Sequence, residues 1–341
     1  MKILNISIDV GGTHSRLQGE ILEEGKVIFT SPEYKKIIGN KAQLQQFIDS
    51  SLRDFTDLKP TKCVIGFAGA VIDRHHVTIT NWIDRPVISL EDLIEWGLPE
   101  STFMVNDMEL AGYGVLAMKE KNELQSGECT TLFMPRNLSR KYPQNMLIIA
   151  PGTGFGTGSI VEMGSTDGKK QYEVISSEVQ HVQLPPLDET HAKMIQLILA
   201  KRPERAFLNF EDFVSGKGME DTYEALLRLN GKKTEGKSAG EIAQLAVENA
   251  DAVAVQTLDY FYRITGRLIQ LMSLVIQPYG GVFLCGASTS KNAAFIPQSG
   301  LLEESHNCLV RKLLLEQFPV YIITKDNINL AGGLWAGRNI L

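Results

Sequence analysis

The chain has 341 residues, with 34 Lys and Arg against 40 Asp and Glu, for a formal net charge of −6. At roughly 150 residues per domain this length predicts two domains, and 43% apolar with 22% charged residues suits a globular chain. No face-sized block of Lys and Arg appears and no apolar run approaches the ~20 residues of a bilayer span, so neither nucleic acid nor membrane is an expected partner. Met1 to Asp9 lacks an unbroken apolar h-region and reads as a strand, not a signal peptide. Cys63, Cys129, Cys285 and Cys308 lie far apart without CxxC spacing, which predicts free thiols in a reducing, cytoplasmic setting.

In chain order, residues 3–8 and 17–22 predict a hairpin around Asp9-Val10-Gly11-Gly12-Thr13. Residues 42–52 have helical spacing, 63–67 form an apolar strand, and 90–96 a short helix. A strand at 103–105 ends on Asn106-Asp107, and 108–118 continue as a helix. The polar stretch 119–145 reads as a bridge between domains. Residues 146–150 form a buried strand feeding the richest glycine loop, Gly152-Thr153-Gly154-Phe155-Gly156. A long helix follows at 250–276, broken only by Gly266, then strands at 282–285 and 320–324 and a closing helix at 330–340. Such alternation is that of an α/β fold.

Glycine is the informative residue. It clusters where apolar strands end, at Gly11-Gly12, Gly66 to Gly69, Gly152 to Gly158, and Gly280 to Gly286. Without a Cβ, successive backbone N–H groups can converge on an anion. One such turn is usually only a tight turn; several at comparable points suggest a composite nucleotide site. The stretch Gly231-Lys232-Lys233-Thr234-Glu235-Gly236-Lys237-Ser238 matches GxxxxGK[ST] literally, but a helical segment precedes it where a P-loop needs a buried strand. Ser238-Ala239-Gly240-Glu241 reads instead as a capping box.

Asp107 follows a strand and opens a helix, so on pattern alone an N-cap role outweighs a catalytic one. Glu178 and His181 lie three apart after a strand-like segment, and Glu211 precedes the turn Ser215-Gly216-Lys217-Gly218. Carboxylates can accept several charge-assisted hydrogen bonds at fixed angles, although isolated residues of these types are more often surface groups. Arg16 is the cation nearest the first glycine turn, with a phosphate role and a surface ion pair equally open. His75 and His76 read as surface residues.

Asp9-Val10-Gly11-Gly12-Thr13 inside a hairpin, with a second Gly-Thr-Gly loop after Ile149, resembles the pattern of the actin, hexokinase and heat-shock ATPases. More narrowly, the chain resembles the bacterial glucokinase family nearly end to end, through residues 9–17, 105–107, 152–156, 178 with 181, 211–218, 280–286 and 320–333. The resemblance implies a two-domain actin-like ATPase (ribonuclease H-like) fold with an interdomain cleft. It implies a small domain of residues 1–115 plus 325–341 and a large domain of 116–324. It implies ATP and Mg²⁺ as cofactors and glucose or a related hexose as substrate. Asp107 becomes the general base for the 6-hydroxyl, with Asn106, Asp107, Glu178, His181 and Glu211 as sugar contacts and Thr80-Asn81-Trp82 as a sugar-side loop. Asp9, Val10, Gly11, Gly12 and Thr13 face Gly152, Thr153 and Gly154 across the phosphates, Asp9 holds Mg²⁺ through water, and Gly286 admits the adenosine. The family is often dimeric; the helix at 250–276 suits a homodimer interface and core packing equally.

There are departures from the family pattern. His14-Ser15 replaces the usual Asn-Ala, Val179-Gln180 stands where glycines are usual, and Ala287 replaces a second glycine. Larger residues at 179 and 180 restrict the loop to φ < 0, which bears on how Glu178 meets a sugar. The remaining alternatives are a kinase for mannose, fructose or an amino sugar, and a non-catalytic sugar sensor. The cysteine-rich zinc motif of the other large prokaryotic sugar-kinase group is absent, so no structural zinc is expected.

Overall fold

The computed structural model describes residues 1–12, 14–55, 58–79, 82, 84–138, 141–166 and 168–341. In chain order the first elements are β1 (Lys2–Val10), β2 (Ser15–Glu23), β3 (Lys26–Thr30), β4 (Tyr34–Lys36) and α1 (Lys41–Leu52). Next come β5 (Pro60–Phe67), β6 (Val71–Ile72), β7 (His76–Thr78), β8 (Val87–Ser89), α2 (Leu90–Glu95), β9 (Phe103–Asn106) and α3 (Asp107–Glu120). These are followed by β10 (Cys129–Phe133), β11 (Met146–Pro151), β12 (Phe155–Thr166), β13 (Lys169–Ser177), α4 (Glu189–Leu199) and α5 (Gly216–Leu229). Then α6 (Ala239–Val247), α7 (Ala252–Ile276), β14 (Gly281–Leu284) and the short α8 (Ala287–Lys291) precede α9 (Leu301–Ser305) and α10 (Lys312–Leu315). Strand β15 (Val320–Ile323) and helix α11 (Ile328–Asn339) close the chain. Two units result: Met1–Leu124 with Asn327–Leu341, and Gln125–Asp326.

The first unit is built on the sheet β3-β2-β1-β5-β9, with β4 beside β2. Strand β1 is central and buried on both faces. Leu4, Ile6 and Ile8 point to a core shared with Leu44, Phe47 and Ile48 of α1. The other face carries the buried polar residues Asn5 and Ser7, and helix α11 lies over it. Gly333 and Gly337 make that approach possible, because a Cβ on either would sit 2.1 Å from Ser7 Oγ or 2.0 Å from Asn5 Oδ1. Asn5 Nδ2 donates to Leu334 O (2.9 Å) and to Glu20 (2.8 Å), and Arg338 closes on Glu20 at 2.6 Å. A buried carboxylate held this fully ties the last helix to the first strands.

The second unit carries the sheet β10-β15-β14-β11-β12-β13. Leu147, Ile149, Val282 and Leu284 of its middle strands share one core with Phe213, Tyr223, Leu258 and Phe261. Helix α7 runs unbroken through Gly266, in contrast to the break expected there, with Asp251 capping Val253 N at 2.8 Å. The P-loop-like stretch connects helix α5 to helix α6, and Ser238 and Glu241 form the capping box. Strand β13 is the strand-like segment before Glu178; β12 and the small sheet β6-β7-β8 were not expected, since their mixed, partly exposed sequences carry no clear period-2 signal. Among the described residues, no helix is long and apolar enough to cross a membrane.

Candidate active site

In the first unit, β1, β5 and β9 run parallel, with Val10 level with Phe67 and Phe67 level with Asn106. The turn after Asp9 and the pair Asn106-Asp107 therefore leave the sheet at the same carboxyl end, roughly 10 Å apart at ordinary strand spacing. That is the end at which open α/β sheets bind ligands. Gly11 N–H donates to His14 O (3.1 Å) and closes the hairpin turn, which leaves Gly12 as the next backbone donor. Thr13 lies outside the described residues, as do Thr80 and Asn81.

Asp9 accepts from Asn329 Nδ2 of α11 at 3.2 Å. Burial pushes its carboxyl above the ordinary value, against the opposing pull of Asn329 and of Arg16. Arg16 is committed elsewhere: its Nε lies 3.5 Å from Glu33, and its guanidinium also bonds Asn327 at the entry to α11. The surface ion pair is thus the role the geometry gives Arg16.

The capping question at β9–α3 has a clear answer. Asn106, still extended at φ −71° and ψ 153°, is the N-cap, and its Oδ1 accepts from Met108 N at 2.8 Å. Its Nδ2 donates to Gly69 O at 2.9 Å. Asp107 is the first residue inside the helix, so the capping role weighed for it belongs to its neighbour. The same helix turn is braced by a pair that no sequence spacing announces. Buried Glu109 takes Arg74 Nη1 at 2.6 Å, and that guanidinium lies 4.7 Å from the Phe103 ring.

In the second unit, β11 and β12 meet at Pro151 and Phe155 around Gly152-Thr153-Gly154, with Gly152 N donating to Gly154 O at 2.9 Å. Glu211 reaches this turn: its Oε2 accepts from Phe155 N at 3.0 Å. Strand β13 ends at Ser177, level with Thr157 of β12, and Glu178 then opens the 3-10 turn Val179–His181. His181 Nε2 lies 3.4 Å from Glu178 Oε2. Glu211 N donates to Gln180 O at 3.2 Å. Glu178, His181 and Glu211 are thereby gathered beside the glycine hairpin. Gly286 follows β14, the neighbour of β11, and takes φ +96°, a conformation that an L side chain would strain.

A cavity of about 320 Å³ opens here, lined among others by His181, Glu211, Arg202, Arg205, Asp212 and Lys217. Its cations are matched. Arg202 bonds Asp212 at 2.7 Å and also Asp221, Arg205 bonds Asp212, and Lys217 lies 3.1 Å from Asp221. Charges already paired in this way leave these three cations little to offer a free anion. Sequence reading noted Gln180 only as a departure in its loop, and missed Asn329, Arg74 and the Phe155 amide as partners of the candidate residues. Each acts through a partner distant in sequence or through the backbone, and a Gln in a loop carries no spacing signal.

Two α/β units, each with carboxylates and a glycine hairpin at one end of its sheet, define a two-domain actin-like ATPase. Within that class the chain belongs to the glucokinase family, whose model, described as Glucokinase, matches residues 6–339. A glucokinase of Rhizobium etli is 24% identical over 328 residues, covering 95% of this chain and 88% of that protein. The crystal structure of glucokinase from Balamuthia mandrillaris in complex with glucose superposes with a TM-score of 0.84 at 25% identity, covering 99% of this chain and 94% of that one. A ROK family glucokinase from Streptomyces griseus, solved with glucose and AMPPNP, shares the fold at a TM-score of 0.59 and 19% identity, over 98% of this chain and 99% of that one.

Proposed function

We propose that the chain transfers the γ-phosphoryl group of ATP to the 6-hydroxyl of glucose, with Asp107 as general base. The observation that carries this reading is the division of labour at β9–α3. Asn106 is the N-cap, so Asp107 opens helix α3 at the carboxyl end of the sheet, on the same end as the Asp9 turn. In the transfer, Asp107 takes the proton of the 6-hydroxyl while its oxygen bonds to the γ-phosphorus. The bond from that phosphorus to the bridging oxygen breaks, and ADP leaves with the electron pair. A base so placed typically contributes ~10²–10⁴ in rate.

Glu178, His181 and Glu211 hold the remaining sugar hydroxyls, and Asn106 adds its amide. The backbone of Val10, Gly12 and Thr13 and of Gly152, Thr153 and Gly154 cradles the phosphates; Gly11 shapes the first turn, and Gly286 lets adenosine approach the chain. Asp9 fits a dication, because a desolvated carboxylate with a raised pKa gains from a positive charge beside it. Mg²⁺ bound with ATP neutralises charge on the phosphate oxygens. Four free cysteines, three of them buried, support a reducing, cytoplasmic setting.

The test is ADP release measured with glucose, mannose, fructose, glucosamine and no sugar. The proposal expects glucose to give the highest kcat/KM and the sugar-free rate to be far lower. A preference for another hexose would move the substrate, and glucose binding without ADP formation would make the chain a sensor.

A further inference from the structure

Residue 180 is one of the two positions where this chain carries larger residues in place of the usual glycines of the family it resembles. Gln180 is 5% exposed, within the turn that joins Glu178 to His181. A buried primary amide must find partners at both ends. Here Nε2 donates to Glu178 Oε2 at 2.7 Å, and Oε1 accepts from Thr157 Oγ1 at 3.1 Å. A carboxylate only accepts, so the amide's nitrogen end must face Glu178 and its orientation follows. The Thr157 hydroxyl, fully buried, also lies 3.0 Å from Ser177 O, so one proton is shared between two acceptors. Gln180 is thus anchored to β12, the strand that leaves the glycine hairpin.

The main chain adds a second tie. Gln180 O accepts from Glu211 N at 3.2 Å, and Glu211 itself accepts from Phe155 N at 3.0 Å. One residue therefore joins both carboxylates of the sugar half-site. The Glu178 side chain remains 62% exposed, so the bond aims an open carboxylate and does not bury it.

We infer that Gln180 is a positioning residue that holds Glu178 in its sugar-binding orientation before the sugar arrives and fixes its spacing to Glu211. This rests on the functional reading above. A free glutamate loses rotamer freedom when it grips a ligand, and a side chain already held loses less. The effect belongs to sugar affinity and not to the phosphoryl-transfer step.

The experiment compares wild type, Gln180→Met and Thr157→Val by steady-state kinetics in glucose and in ATP. Glucose titration calorimetry without nucleotide gives a readout independent of turnover. Met keeps the length of the side chain and removes both hydrogen-bonding ends; Val keeps the shape of Thr157 and removes the hydroxyl that anchors Gln180 and also meets Ser177 O. Gln180→Met should raise KM for glucose about 10-fold, as loss of one charge-assisted hydrogen bond does, and weaken glucose binding by a similar factor. KM for ATP and kcat should stay within about 3-fold. Thr157→Val should shift the same two quantities in the same direction by less, and it carries the test should Gln180→Met lose its thermal transition.

Glucose KM unchanged within about 2-fold in the folded variants would overturn the inference, as would a parallel decline of kcat, both KM values and Tm. A wild type that forms no glucose-dependent ADP would overturn the functional reading and this inference together. An active wild type with unshifted variants would overturn this inference alone.

Discussion

Asp9 in the first unit and Glu211 in the second are both carboxylates beside a glycine hairpin, yet the protein holds them in opposite ways. Asp9 is desolvated, has the neutral amide of Asn329 at 3.2 Å, and binds its proton more tightly than usual. Glu211 accepts a backbone N–H at 3.0 Å in a wall where Arg202, Arg205 and Lys217 already have carboxylate partners. Each accepts a hydrogen bond, but Asp9's comes from a neutral side-chain amide against the cost of burial, whereas Glu211 is tied to the main chain of its hairpin. On the proposed function Asp9 meets a dication, and such a group gains most from that meeting when the protein has not already satisfied it. A group that must read the positions of neutral hydroxyls gains from being fixed beforehand.

Substituting the two acids should break this symmetry of position. Asp9→Asn should lower kcat by about 10²-fold or more, the scale of lost charge stabilisation at a transferring phosphoryl group. The same change should raise the Tm of the ligand-free protein, by about 2–4 °C for each kcal/mol of relieved burial. The sign follows from the raised pKa: Asp9 stabilises the fold only below its unfolded value, and that contribution is lost as pH rises through the folded one. Glu211→Gln should lower Tm slightly, because the bond from Phe155 N loses its charge, and should raise KM for glucose about 10-fold. Tm shifts of the same sign in both variants would undo the contrast.

A smaller effect sharpens it. His191 is fully buried under the Glu211 segment, its Nδ1 accepting from Leu187 N at 3.0 Å and its ring 4.6 Å from Phe213. Burial pushes its imidazole down to about 4. Between that value and the ordinary 6.5 the unfolded chain holds the proton more readily, so stability is complete above about pH 6.5 and drains as pH falls toward 4. The loss can reach ~3 kcal/mol. His191→Phe should flatten the fall of Tm across this window in a pH series, and an unchanged slope would remove His191 as its source.

Much of the frame was legible. The β1–β2 hairpin, α3, α7 and α11 announce themselves through apolar periodicity and glycine punctuation, and the alternation gives the α/β class. Strand β12 does not, because outside the hairpin turn its side chains are mixed and half exposed. The site was legible in its motifs and not in its supports. Two capping-competent residues stand together at Asn106-Asp107, and composition cannot choose between them. The choice follows from pairing, since Asn106 is still level with Phe67 in the sheet. Asn329 and Arg74 reach their partners across 320 and 35 residues, distances over which sequence spacing carries no signal.

The central claim is that Asp107 is the base, and Asp107→Asn tests it when turnover and glucose affinity are measured on the same preparation. The account predicts a fall in kcat of ~10²–10⁴ with glucose affinity kept within about 10-fold, since a single hydrogen bond to the sugar changes character. A variant that retained most of its turnover, or that lost glucose binding and turnover together, would contradict it.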